Sequence, residues 1–127
     1  MNENPNLKIE PFRGTVNVMF SDAMIASTKE ALVLAEAGAE PVFYIPFRDI
    51  YFDFLTESAT QREVPGKGRA HYWNVGAVGE SADDVMWAIE QPGPELNAIR
   101  QHAAFDRSKV RVEAVPQEDI IHEPHVP

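Results

Sequence analysis

The segment TVNVMFSDAMIAST, residues 15–28, alternates apolar and polar side chains on either side of a short polar break. Successive side chains of an extended chain point to opposite faces, so Val16, Val18 and Phe20 share one face of its first half. The pair Ser21-Asp22 supplies turn-forming side chains, and AMIAST provides a second extended run. The segment is typical of a β-hairpin with one buried face.

Similar extended runs recur along most of the chain. They are rich in β-branched and aromatic residues, which favour strands. Together with the hairpin they predict about six or seven short, mostly antiparallel strands. The further predicted strands are VFYI (42–45), IYFDFL (50–55), RAHYWNVGA (69–77), DVMWAI (84–89) and KVRVEAV (109–115).

Two segments have helical features. GPE (93–95) combines a glycine cap, a first-turn proline and an early acid, which predicts one short helix near residues 94–102. KEALVLAEAG (29–38) has a helix-favouring composition and a glycine that could end a helix, yet predicted strands flank it, so both helix and strand remain open there. We therefore expect a mainly β, single compact domain, either barrel-like or two-layered.

Composition limits the class of protein. With 127 residues, 44% of them hydrophobic and 24% charged, the chain fits one globular domain with a substantial core. The absence of cysteine excludes disulfides and thiolate chemistry. A net charge of −9 argues against nucleic acid or an anionic membrane as partner, because both require clustered Lys and Arg. The start of the chain lacks the pattern of a signal peptide and no apolar run is long enough to span a bilayer, so we expect a cytoplasmic location.

The chain divides into three parts. Residues 1–14 are predicted to form an N-terminal arm, of which residues 1–6 are expected to be loose. Residues 15–115 are predicted to form the β domain. Residues 116–127 make an acidic, proline-rich tail.

Three blocks of the sequence together resemble a known family. They are ASTKEALVLAEAG running into PVFYIPFRDIYFDFL, then VPGKGRAHYWNVG, and then MWAIEQPGPELNAIRQHAAFDRSKVRVE. In order and spacing they are similar to the bacterial domain of unknown function 427 family, which also carries a nucleotidyltransferase-like label. The likeness covers roughly residues 15–115 and implies a small, mainly β domain without an established activity. Nucleotidyltransferase activity has no support in the motifs of this chain.

The chain also departs from the family pattern. Val64 stands where a cysteine is usual, Gly66 where an aromatic is usual, and Arg69 where an acid is usual. The pair Phe47-Arg48 replaces an Arg-acid pair, and Asp106 replaces an aromatic. Chemistry that depended on the missing cysteine or arginine is therefore not expected here.

The stretch VPGKGRAHYW (64–73) is the strongest candidate for a ligand site. It is not a phosphate-binding P-loop, because no Ser or Thr follows Lys67 and the next residues alternate as a strand. Residues 61–71 nevertheless hold Arg62, Lys67 and Arg69 against a single acid, a local excess of positive charge in an acidic chain. Glycines on both sides of Lys67 would allow close approach of backbone amides to an anion. The alternative is an ordinary Pro-Gly turn whose cations balance nearby acids.

Aromatic residues near this turn could form a ligand wall or an ordinary core. Tyr72 and Trp73 are adjacent in a predicted strand, so only one of them can face a given pocket. Trp87 is the third member of the group. Aromatic rings with one polar edge suit ligand sites, and they dominate hydrophobic cores equally well.

Other polar groups support catalysis or metal binding less well. Asp49 and Asp53 are predicted to lie on one strand about 13 Å apart, too far for an acid–base pair. Weak metal capture by His71 and His102, or by the tail pair His122 and His125, stays open, but we expect no native metal. No nucleophile motif is present.

Three function classes remain. The first is a binding or accessory module for a small anionic or amphipathic ligand, at Lys67, Gly68, Arg69, Tyr72, Trp73, Trp87 and Asp53. The second is a small enzyme of unknown reaction, for which Lys67, Asp53 and His71 would have to converge within hydrogen-bonding reach. The third is a structural or self-associating domain, with monomer and homodimer both open. No cofactor is expected.

Overall fold

A computed structural model describes residues 7–118, which form a mainly β domain of two antiparallel sheets. One sheet has seven strands in the order β1-β4-β5-β9-β8-β7-β6, and the other has three in the order β10-β2-β3. The strands are β1 (Leu7–Pro11), β2 (Gly14–Phe20), β3 (Ala23–Thr28), β4 (Leu32–Glu36), β5 (Val42–Pro46), β6 (Leu55–Val64), β7 (Gly68–Ala77), β8 (Glu80–Glu90), β9 (His102–Phe105) and β10 (Arg111–Pro116).

The two sheets share a hydrophobic core. The main cluster joins Val16, Val18 and Ile25 of the small sheet to Ile45 and Met86 of the large one, all at most 1% exposed. A second cluster, built on Tyr44, Ile89 and Ile99, involves the large sheet and the segment before β9. Within residues 7–118 the strand order of neither sheet closes on itself, so the predicted mainly β fold is confirmed in its two-layered form.

The hairpin that decides the fold is confirmed. In β2 and β3, Val16 pairs with Thr28 and Val18 with Ala26, and a register shift follows at Met19. The apolar face predicted for β2 is the buried one, since Val16 and Val18 are fully inaccessible to solvent. Alternation alone was sufficient here because one face meets the core and the other does not.

The prediction of a strand at residues 50–55 is wrong. Two 3₁₀ helices, Phe47–Asp49 and Phe52–Phe54, occupy this part of the chain. The backbone N–H of Ile50 bonds to the carbonyl of Phe47, which closes a turn directly after β5. Alternating apolar residues are also compatible with such consecutive turns, in which Phe47 and Phe54 pack against the core while Phe52 is exposed.

The ambiguous segment 29–38 contains strand β4. It pairs with β1 on one side and β5 on the other, and these ladders override its helical composition. Gly38, with φ of 84°, lies in the turn that follows. Strand pairing is a non-local interaction, which local propensity does not encode.

The helix expected near residues 94–102 is present but ends earlier than predicted. A 3₁₀ helix covers Pro94–Ile99, and β9 begins at His102. Gln101, with φ of 60°, turns the chain into β9, where Ala103 pairs with Ile45. Residues 7–118 contain ten strands rather than the six or seven predicted, because β1 falls in the segment assigned to the arm and β4, β6 and β9 lack a clear alternating pattern.

The three-part division of the chain stays a prediction. Strand β1 falls inside the segment assigned to the arm, and β10 ends at Pro116. The loose arm at residues 1–6 and the tail from residue 119 lie outside the described residues. Within the described part, the structure contains no helix with the length and apolar character that crossing a bilayer requires.

Candidate functional site

The stretch 64–67 is a hairpin turn between β6 and β7. The backbone N–H of Lys67 donates to the carbonyl of Val64 at 2.9 Å. Gly66 has φ of 81°, the value required at the third position of a type II turn after a proline at the second. A strand follows the turn instead of a helix, so the geometry is not that of a P-loop.

The side chain of Lys67 folds back over the large sheet. Its Nζ donates to Glu36 Oε1 on β4 at 2.9 Å, and the side chain is only 17% exposed. The ammonium group and the aliphatic stem line a hollow of about 200 Å³, which we call the Trp87 hollow. Its lining consists of Leu34, Glu36, Ala39, Glu40, Val42, Tyr44, Val64, Lys67, Trp87 and Ile89.

Trp87 forms the aromatic wall of this hollow. Its indole Nε1 donates to the hydroxyl of Tyr44 at 3.3 Å. Tyr72, directly opposite on β7, lies beside the indole with ring centroids 6.3 Å apart, and the guanidinium of Arg62 covers the Tyr72 ring. Burial raises the pKa of the Tyr44 hydroxyl above its ordinary value, so the group stays neutral and able to hydrogen-bond over a wide pH range.

A second hollow is also lined by Trp87. It has a volume of about 340 Å³ and shares Glu40, Val42 and Trp87 with the Trp87 hollow. Arg107 contributes to it and lies 5.5 Å from the centre of the Phe43 ring. Trp87 therefore lines both of these neighbouring hollows.

Gly68 permits the close approach of β7 and β8 at this place. A Cβ there would lie 3.1 Å from the side chain of Ile89, which lines the Trp87 hollow, and φ of Gly68 is 128°. A side chain at this position would require Ile89 to shift by a few tenths of an ångström.

The other predicted aromatic lies on the opposite face of the large sheet. Trp73 packs edge-on against Phe47 and Phe52, in the core cluster between the sheets. It lines a different hollow of about 250 Å³ together with His71, whose Nε2 contacts a carboxylate oxygen of Glu90. The expectation that only one of Tyr72 and Trp73 can face a given pocket is confirmed, because Trp73 packs against the main core cluster and Tyr72 against the second one.

Two further members of the predicted set do not reach the Trp87 hollow. Ala70 lies on the same face of β7 as the Trp87 cluster, so the side chain of its neighbour Arg69 points to the opposite face. Arg69 pairs there with Glu63 at the surface, with 3.5 Å between nitrogen and oxygen. Asp53 is exposed, within the second 3₁₀ helix, and lines none of the hollows described above. Of the predicted set, only Lys67 and Trp87 line the Trp87 hollow, while Gly68 and Tyr72 lie beside the lining residues Ile89 and Trp87.

The geometry expected for Asp49 and Asp53 is wrong, because they do not lie on one strand. Asp49 accepts a hydrogen bond of 2.6 Å from the hydroxyl of Thr28 and fixes the first 3₁₀ helix to β3. The three polar residues of the enzyme hypothesis do not share a hollow: Lys67 and His71 line different ones, and Asp53 lines neither. The structure therefore provides no convergence of these groups.

Sequence reasoning missed Glu36 and Tyr44, which together with Glu40 and Lys67 form the polar side of the site. Both lie at least 31 positions from their partners Lys67 and Trp87, and their pairing depends on strand order. A lone acid in the apolar run LVLAE was the one available sign that Glu36 has a partner. In residues 7–118, no group of three or more His, Asp or Glu is placed to hold a metal ion.

Comparison with protein families and with curated proteins gives one match. A family model described as Domain of unknown function (DUF427) matches residues 8–116, which is most of the chain and every strand residue except Leu7. No curated protein matches the chain.

Proposed function

The chain belongs to the domain of unknown function 427 family, and from that premise we propose that it is a binding module for a small amphipathic anion. The observation that carries the proposal is that Lys67, from the β6–β7 turn, and Trp87, from β8, line the same hollow. A cation and an aromatic wall in one concave space are the usual elements of a small-ligand site.

The ligand's apolar part would lie against Trp87. The indole is only partly buried although Tyr72 and Ile89 pack around it, so one of its faces remains available. The two hollows beside it together reach the lower part of the range typical of small-molecule pockets. We propose a ligand the size of one aromatic ring with a short side chain.

The ligand's anionic group would bind Lys67. An ammonium group has three donors, and the contact with Glu36 uses one of them. Partial burial strengthens any charge interaction made there, since the side chain is only 17% exposed. The Tyr44 hydroxyl, which already accepts from Trp87, has its own proton left to donate to a ligand oxygen.

Thermal unfolding in the presence of phenylacetate tests the proposal. Binding to the folded state alone raises Tm with ligand concentration, and phenylacetamide should give a smaller rise because it lacks the charge. Lys67→Met should abolish the phenylacetate-specific part of the shift. The single change leaves Glu36 without its partner, and adding Glu36→Gln removes that unpaired charge. The double variant Lys67→Met with Glu36→Gln should therefore lose the same part of the Tm shift as Lys67→Met alone.

Arg69→Met is the matched control. It removes the same charge from the same hairpin, at a residue that does not line the Trp87 hollow. We expect it to retain the parent's Tm shift. A phenylacetate shift that survives in both Lys67 variants would refute the proposal.

A further inference from the structure

We propose a second binding site, for an organic anion, in the large groove where the two sheets separate. The groove has a volume of about 980 Å³ and lies beside the bend between β1 and β2. Its basic residues are Arg13, Lys29, Arg48 and His102, and Phe12 and Leu32 contribute to its apolar wall. We call it the basic groove.

Backbone hydrogen bonds build the groove from three distant parts of the chain. The N–H of Phe12 donates to the carbonyl of Ala31 at 2.9 Å, and the N–H of Gln117 donates to the carbonyl of Arg13 at 3.0 Å. These bonds fix the β1–β2 bend against the turn before β4 and against the end of β10. Arg13 and Lys29 lie in or next to these bonded segments, so the hydrogen bonds at the strand ends determine where the two basic residues lie.

The groove concentrates positive charge in an acidic protein. It contains three of the chain's 11 Lys and Arg residues but only one of its 20 Asp and Glu residues. That acid, Glu30, pairs with Arg48. Within residues 7–118, neither Arg13 nor Lys29 forms an ion pair. The net charge of −9 already keeps the whole chain away from neutrality. Solubility therefore does not account for the excess of positive charge in the groove.

The composition of the lining indicates the class of ligand. A guanidinium binds carboxylate or phosphate through two parallel N–H donors, and a nearby ammonium adds a third contact. The apolar residues Phe12, Leu32 and Val115 favour a ligand with a hydrocarbon or aromatic body. The volume lies at the upper end of the range for small-molecule sites, so it suits a larger ligand than the Trp87 hollow.

The basic groove is independent of the site proposed above. It shares no lining residue with either hollow beside Trp87. Either site can therefore be present without the other, and a result at one does not decide the other.

Amide chemical shifts of the ¹⁵N-labelled full chain test the inference with phthalate as the probe, which combines an aromatic ring with two carboxylates. Phthalate should shift the amides of residues 13–15 and 29–31 in a saturable manner, and neutral phthalamide should not. Phenyl phosphate is the second probe, which distinguishes phosphate from carboxylate ligands. Saturable shifts of these amides with either anion support the site.

Arg13→Gln combined with Lys29→Met should weaken phthalate binding by about tenfold or more, because both charge-assisted contacts are removed. Lys8→Met with Arg111→Gln is the control, since it removes the same net charge from exposed ion pairs outside the groove. Equal weakening in both double variants, or no saturable shift of these amides with either anion, would overturn the inference.

Discussion

The indole Nε1 of Trp87 reaches the hydroxyl of Tyr44 at 3.3 Å although their strands are not neighbours. Strand β9 lies between β5 and β8, and its residue Ala104 pairs with Trp87. Ala104 is fully buried in the same cluster as both aromatic residues. Because its side chain is a single methyl group, the two aromatic side chains can meet across the middle strand and form the polar corner of the Trp87 hollow.

Tyr44→Phe should lower the free energy of unfolding by about 0.5–1.5 kcal/mol, the usual net value of one hydrogen bond. The change removes only the hydroxyl and leaves the indole N–H of Trp87 without this acceptor. Urea unfolding followed by circular dichroism measures the difference. Tyr51→Phe is the control, since Tyr51 is 47% exposed, and it should be nearly neutral. Equal effects of the two changes would count against the hydrogen bond.

Ala104→Val should destabilise the fold by about 1–3 kcal/mol, because it adds two methyl groups to a fully packed position. It should also separate Tyr44 from Trp87. A chain with Trp73→Phe has Trp87 as its sole tryptophan, so the emission spectrum reports on this contact. An unchanged spectrum and unchanged stability would show that the space over β9 is not closely filled.

Gly14→Ala should cost well over 2 kcal/mol, more than a typical substitution. A Cβ at Gly14 would lie 2.3 Å from the carbonyl oxygen of Val115, and φ there is 149°. Gly79→Ala is the matched control, because Gly79 also has positive φ, 78°, but open space around it. We expect only the backbone strain at Gly79, about 1 kcal/mol, measured by the same urea titration.

The ionised carboxyl group of Asp84 should stabilise the fold at neutral pH, and this stabilisation should be lost in acid. The hydrogen bond from the Ser58 hydroxyl, aided by Thr60, lowers the pKa of Asp84. A carboxyl group with a lowered pKa in the folded state contributes stability above its unfolded pKa, and this contribution is lost as pH falls through the folded value. Asp84→Asn should therefore reduce Tm at neutral pH and have less effect near pH 3.

Asparagine is the suitable replacement because Asp84 has φ of 54°, which Asn tolerates better than most residues. An equal Tm difference at both pH values would mean that the charge of Asp84 contributes nothing to the free energy of unfolding.

The sequence was sufficient to predict the strands whose structure depends on local patterns. The β2–β3 hairpin follows from alternation because one face of β2 lies against the core. It failed at residues 50–55, where the same alternation accompanies two turns after Pro46. Strand β4 was undecidable, because its helical composition is overridden by partners on both sides.

The candidate site was only partly predictable for the same reason. Lys67 and Trp87 were identified from their residue types, and alternation separated Tyr72 from Trp73. Glu36 and Tyr44 were not, because their contacts depend on which strands become neighbours. The basic groove was invisible to sequence reasoning, since its cations come from segments that no motif connects.

The most direct measurement is the affinity of phenylacetate for a chain in which Trp73→Phe leaves Trp87 as the sole tryptophan. We predict a saturable change in Trp87 emission, weakened by about tenfold or more when Lys67→Met is added. Emission that does not respond to phenylacetate, or an affinity that Lys67→Met leaves unchanged, would contradict a ligand bound between Lys67 and Trp87.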